Sequence, residues 1–242
     1  MKLLKSIFAI ATVCVIGVVV GAGFNGLSPL DLYRIVETVI RQRINRETVD
    51  SRMIEIEHRH PELVDIANAI GEELRIVVFK RERRVELHAR GWKKPMIYAM
   101  HGFSGSLGPK LKDGDGQIPE GVYGVKYLNP NSLFYLSLKV SYPNDFDRAR
   151  ASEDGRSCLG GDIMIHGGSA TIGCVPIGDD GIEEVFYFAG KVGCGKITVV
   201  IAPYDMRRGR VPELEISSVA WYPKLCAIIY EELLKLKPCP NS

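Results

Sequence analysis

Between Leu74 and Ala202 the chain is cut into short runs that are apolar, or alternate apolar with polar, and the cuts fall at Gly, Pro and Asn. Runs over 74–80, 84–88, 96–100, 122–128, 133–140, 162–166 and 196–202 read as strands, because such lengths and a period near two suit a pleated surface and not a helix. Short strands at this density need a sheet that encloses a core. The expected fold is therefore mainly β with flanking helices, an α+β arrangement built on a β-sandwich or barrel-like sheet, with residues 179–189 as a helix packed on it.

The flanks carry helical signals. Ser28-Pro29-Leu30-Asp31 combines a capping residue, a proline at the first helical position and an acid three residues after the cap. Beyond it, Leu32, Ile35, Val36, Val39 and Ile40 keep helical spacing, with Arg34, Arg41, Arg43 and Arg46 on the other face as a solvated or anion-facing side. A short helix is expected over 61–70 and a last one over 218–236 that buries Val219, Leu225, Ile229 and Leu233. The resulting division is 1–26 as a signal peptide or membrane anchor, 27–73 as a helical linker or stalk, 74–203 as the catalytic unit and 204–242 as a helical extension. At 242 residues and a net charge of +2 the chain can bury one ordinary core and has no basic stripe for nucleic acid.

One decapeptide carries chemistry. In Ile165-His166-Gly167-Gly168-Ser169-Ala170-Thr171-Ile172-Gly173-Cys174, a histidine emerges at the end of an apolar run and a cysteine follows eight positions later in a glycine-rich turn. A cysteine of ordinary pKa, about 8.5, is mostly protonated at neutral pH, so an attacking thiol needs a neighbouring base, and an imidazole is the usual one. Gly173 before Cys174 also permits a tight turn that aims backbone N–H groups at a carbonyl oxygen under attack. On spacing alone, a small buried cysteine and a satisfied core histidine remain the alternative.

The surrounding text decides between them. Leu107-Gly108-Pro109-Lys110, Gly114-Asp115-Gly116-Gln117, Pro119-Glu120-Gly121-Val122-Tyr123, Ser141-Tyr142-Pro143-Asn144, Phe146-Asp147-Arg148-Ala149, Ile165-His166-Gly167-Gly168, Ile172-Gly173-Cys174 and Ile182-Glu183-Glu184-Val185-Phe186 occur in that order. Together they resemble the L,D-transpeptidase catalytic (YkuD-type) family, most closely its YafK-like murein L,D-transpeptidase/amidase branch, over about Leu74 to Pro203. The resemblance implies Cys174 as nucleophile, His166 as general base with its ring steadied by the Gly167 carbonyl, and an oxyanion hole of backbone N–H groups around Gly173 and Cys174. It also singles out Arg148 as a clamp for a substrate carboxylate or a structural ion pair, Tyr142 as a packing surface for a peptide stem, and Lys110 as a further contact. Thr171 fills the family's hydroxyl position, whereas Ile172 replaces a histidine and Pro176 stands where Arg or Asn is usual. Cysteine-dependent acyl transfer on peptidoglycan stem peptides, as transpeptidation or as amide hydrolysis that releases a wall-linked peptide or protein, is the implied function, with no metal and no cofactor. A non-catalytic peptidoglycan-binding module that retains the fold is the alternative, and a thiol redox role is weaker because no Cys-x-x-Cys is present.

The amino terminus agrees with an envelope location. Lys2 and Lys5 precede an uncharged run from Ser6 to Leu30, which reads either as a cleaved export segment, with small residues at Val20-Gly21-Ala22, or as an anchor in the inner membrane. Either places the remainder on the periplasmic, extracytoplasmic side. There Cys158, Cys174, Cys194, Cys226 and Cys239 would be free to pair or to stay reduced. His101-Gly102 imitates the histidine motif, and His58 with His60 imitates a metal pair; both are expected to be solvated, since neither has ligands or a cysteine in register.

Overall fold

In the computed structural model, residues 47–209, 216–217 and 219–236 are described. The apolar amino-terminal run, the helix expected from Ser28 and Cys239 lie outside them. The described chain runs α1 (Val49–Arg59), α2 (Glu62–Asn68), β1 (Leu74–Phe79), β2 (Arg84–Ala89), β3 (Met96–Ala99), β4 (Gly121–Ser132), β5 (Tyr135–Val140), α3 (Asp145–Glu153), β6 (Met164–His166), β7 (Val175–Pro176), α4 (Gly178–Val192), β8 (Ile197–Ala202) and α5 (Tyr222–Leu234).

The strands form one mixed sheet in the order β3-β2-β1-β8-β4-β5-β6-β7. β1 pairs with β8 in parallel and β6 with β7 in parallel; every other pairing is antiparallel. The sheet curls, for the His101 N–H just after β3 donates to the Pro176 carbonyl of β7 at 2.9 Å and joins the two ends of the strand order. The expected α+β, mainly β class with a helix on the sheet is what forms.

At the centre, β1 and β8 are apolar on both sides because both faces are covered. Leu74, Ile76 and Val78 of β1 face the main core with Ile182, Val185, Phe186 and Phe188 of α4, while Val77 and Phe79 face a second cluster with Leu225, Ile229 and Leu233 of α5. Burying a side chain such as Phe186 contributes roughly 1.5–3 kcal/mol. α1 and α2 also pack on this body: Ile56 and Leu63 join the main core, and Arg59 donates both contacts of its Nη1 to the Glu183 carboxylate of α4 at 2.8 and 2.9 Å. The described part of the 27–73 segment thus packs on the folded body.

α3 and β7 have no counterpart in the strand and helix runs of the sequence reading. The first begins at a reciprocal cap, in which the Asn144 side chain accepts from the Asp147 N–H while the Asp147 carboxylate accepts from the Asn144 N–H, each at 2.9 Å. β7 is two residues long and exists only through its pairing with β6.

Candidate active site

The sheet register brings the decapeptide to one face. Ser137 of β5 pairs with His166 and Lys139 with Met164, while Ile165 and His166 pair with Val175 and Pro176 of β7. Partners across a ladder share a face, and alternate residues along a strand share it too. Leu138, Ile165 and Val175 therefore point into the core, where all three are fully buried. Ser137, Lys139, Met164 and His166 point to the other side, and Cys174, one residue before β7, extends that face beside Met164. His166 and Cys174 are then diagonal neighbours on adjacent strands and share this face.

His166 is held tightly. Its ring is 2% exposed, lies 4.8 Å from the Phe134 ring, and directs Nδ1 to the Gly167 carbonyl at 2.6 Å. A carbonyl only accepts, so Nδ1 carries the hydrogen and Nε2 is left with its lone pair, the tautomer a base needs. Burial lowers the His166 pKa to about 4, the Gly167 contact opposing only part of the shift, so the ring is neutral near pH 7. The Gly167 backbone is itself confined: a side chain there would meet the Asp179 carboxylate and the Phe134 carbonyl, both at 2.7 Å. Asp179, in the first turn of α4, accepts the Gly168 N–H at 2.8 Å and ties the loop to the helix.

Cys174 is half-buried. Burial pushes its thiol pKa up; the Met164 backbone and the Lys139 and Lys110 ammonium groups oppose that shift, and the Asp162 carboxylate adds to it. The S–H donates to the Asp162 carbonyl at 3.4 Å. The thiol and the imidazole are consequently both neutral at rest, and charge arises only when a proton moves. Lys139, which the sequence reading did not single out, is 6% exposed and paired with Asp162 at 2.8 Å. Only its place in the β5–β6 register reveals that it faces the thiol.

The turn before Cys174 has an unexpected feature. Gly173 adopts φ +98°, and a side chain there would come within 3.0 Å of the Gln117 carbonyl. Its N–H donates to Ser104 Oγ at 2.7 Å, and the Cys174 N–H donates to Thr171 Oγ1 at 2.9 Å. Both N–H groups expected to form an open oxyanion hole are thus occupied by side-chain hydroxyls.

The remaining expected residues scatter. Tyr142 is 1% exposed, packs edge-on against Tyr123 and donates its hydroxyl to the Leu159 carbonyl, so it is a core residue with no ring face for a peptide. Lys110 is buried and paired with Asp115, close enough to Cys174 to act through its charge. Arg148 is exposed on α3 and pairs with Asp145 at 2.9 Å. His58 and His101 are exposed as expected, whereas His60 lies 3.2 Å from the buried Glu183 carboxylate and is part of the α1–α4 contact. Cys158, Cys174 and Cys194 are free thiols. Among the described residues no group of three or more His, Cys, Asp and Glu side chains could hold a metal ion.

A thiol and a correctly tautomerised imidazole on one face of adjoining strands form the kind of pair that thiol acyl-transfer chemistry uses. The chain is 34% identical over 144 residues, 57% of its length, to proteins of Escherichia coli K12 and of Escherichia coli O157:H7, each named "Putative L,D-transpeptidase YafK". The resemblance read from the sequence, to the L,D-transpeptidase family and its YafK-like branch, is borne out. The chain spans about half the length of these relatives, 56% of each. Among solved structures, the helical cell shape determining protein Pgp2 of Campylobacter jejuni matches with a TM-score of 0.42 at 21% identity, over 65% of this chain and 56% of that one. Bd1075 of Bdellovibrio bacteriovorus matches with a TM-score of 0.38 at 19% identity, over 67% and 56%. No family model matches the chain.

Proposed function

We propose that the protein is a cysteine-dependent acyl-transfer enzyme of the cell envelope that acts on peptidoglycan stem peptides. The observation that carries this reading is the β5–β6–β7 register, which sets Cys174 diagonal to a His166 whose Nδ1 is committed to Gly167 and whose Nε2 is left as a base. The similarity to the relatives named for L,D-transpeptidase activity supplies the substrate class.

In the proposed reaction His166 Nε2 takes the thiol proton as the Cys174 sulfur adds to the amide carbonyl that follows an L-centre. The carbon–nitrogen bond then breaks, the leaving amine receives that proton from His166, and a thioester remains on Cys174. An amine acceptor resolves the thioester by transpeptidation and water resolves it by hydrolysis. Hydrolysis stands beside cross-linking in this proposal because Pro176 occupies a position where an Arg or Asn would hold an incoming stem peptide. Pro176 is buried in β7 and offers no side-chain donor.

Incubation with tetrapeptide muropeptides and with protein-linked muropeptides, followed by mass analysis, tests the reading. A thioester on Cys174 with either dimers or released peptide is expected. Saturable binding without a Cys174 adduct would instead favour the non-catalytic wall-binding module, for which the occupied N–H groups at Gly173 and Cys174 are the supporting observation. Export rests on Lys2 and Lys5 before the apolar run, and among the described residues no helix is long and apolar enough to cross a membrane. Protease that enters through a permeabilised outer envelope should digest the folded body; protection until the inner membrane is lysed would contradict export.

A further inference from the structure

An acyl-transfer site has to stabilise the oxyanion that forms when the sulfur adds to a carbonyl, and the donor for it is not where the sequence places it. The Gly173 N–H is spent on Ser104 Oγ at 2.7 Å, and the Cys174 N–H on Thr171 Oγ1 at 2.9 Å. Thr171 has nothing further to donate, because its own hydrogen goes to the Cys174 carbonyl at 2.7 Å. Ser104 differs. It accepts the Gly173 N–H, and among the described residues its hydroxyl hydrogen has no acceptor. A hydroxyl that accepts one hydrogen bond is polarised towards donating another.

The loop that carries Ser104 is fixed at several points. His101 N–H donates to the Pro176 carbonyl, and Gly102 lies so close to Ser169 that a side chain would sit 2.1 Å from its carbonyl oxygen. Gln117 folds back onto this loop, accepting the Ser106 N–H and donating to the Gly108 carbonyl at 3.2 Å. Beneath it, the buried Lys80 ammonium donates to the Gly108 and Ile118 carbonyls and to Glu120, at 2.8–2.9 Å. A donor held this firmly costs little reorganisation when charge develops beside it.

We propose that the Ser104 hydroxyl is the side-chain donor of the oxyanion hole, taking the place of the Gly173 N–H that it covers. This rests on Cys174 being the nucleophile. As the sulfur bonds to the carbonyl carbon, the C=O π pair moves onto oxygen, Ser104 O–H donates a hydrogen bond to that oxygen without giving up its proton, and the pair returns as the leaving group departs.

The test uses p-nitrophenyl acetate and the full chain, with p-nitrophenolate release and the mass of acetylated Cys174 as readouts, so that no wall substrate is needed. Ser104→Ala should slow acetylation of Cys174 at saturating ester about 10²-fold with little change in KM, and Ser104→Thr, which keeps the hydroxyl, should restore most of the rate. Ser104→Gly carries the same expectation if Ser104→Ala does not fold. Acetylation of Cys174 at the wild-type rate or faster in the variants without a hydroxyl overturns this inference alone, since the uncovered Gly173 N–H would then be the donor. Acetylation that falls elsewhere and survives Cys174→Ala overturns the nucleophile, and this inference with it.

Discussion

The centre of the sheet and its β5–β6–β7 side are built from the same kind of short strand but solve different problems. β1 and β8 are covered on both faces, by α4 and by α5, so nearly every side chain in them is apolar and buried. On β5, β6 and β7 the two faces differ in polarity and not in burial, for Ser137, Lys139 and His166 are 0%, 6% and 2% exposed. Leu138, Ile165 and Val175 make the apolar face, and Ser137, Lys139, His166 and Cys174 make the polar one. Apolar side chains on both faces provide a rigid frame, and the polar face of the second region is what that frame can aim. The difference teaches that the stability and the proposed chemistry of this protein are separable, and four measurements can break or sharpen that separation.

The largest effect is expected at the polar face. Cys174→Ala should remove turnover altogether, a loss beyond about 10⁴-fold for a nucleophile, while the denaturation midpoint stays near that of the parent; wild-type product formation by this variant would refute the assigned nucleophile.

Next is the frame. Lys80 and Glu120 form a buried pair at the end of β1, and Tyr222 of α5 donates to the same carboxylate at 2.6 Å. Lys80→Met strands Glu120 without its cation and should cost about 3–5 kcal/mol by chemical denaturation. A change under 1 kcal/mol would mean that the network contributes little to holding the loop beneath Ser104.

The third is a pH measurement, in which the two regions meet. The folded pKa of His166 is depressed to about 4 from an ordinary 6.5, so the unfolded chain binds the proton more readily. Its contribution is fully present above pH 6.5, falls as the pH drops through that window, and is lost at about pH 4, amounting to about 3 kcal/mol at 1.4 kcal/mol per unit. His166→Gln should flatten that part of the stability profile, and wild-type kcat/KM should keep its acid limb near 4; an acid limb at 6.5 would show that the ring is not desolvated in the working enzyme.

The smallest effect belongs to Arg148. Exposed, and among the described residues paired with Asp145 and the Pro143 carbonyl, it should change stability by less than about 0.5 kcal/mol on replacement by Ala. A tenfold rise in KM for muropeptides with unchanged kcat would restore it as a carboxylate clamp.

The sequence by itself determined the strand runs from Leu74 to Ala202 and the helix on the sheet, and it singled out His166 and Cys174 as the candidate pair, because local periodicity and turn residues record which side chains a strand or helix must bury. Motif order also carried the resemblance to the relatives named for L,D-transpeptidase activity. Tertiary structure alone decided what depends on register between segments far apart in sequence: that Lys139 faces the thiol, that Tyr142 is core, that residues 47–73 pack on α4, and that β7 exists at all. Ser104 is the clearest case. It stands in a Gly/Ser-rich loop with no local signal, and only the curl of the sheet, which brings the segment after β3 against β7, puts its hydroxyl on Gly173.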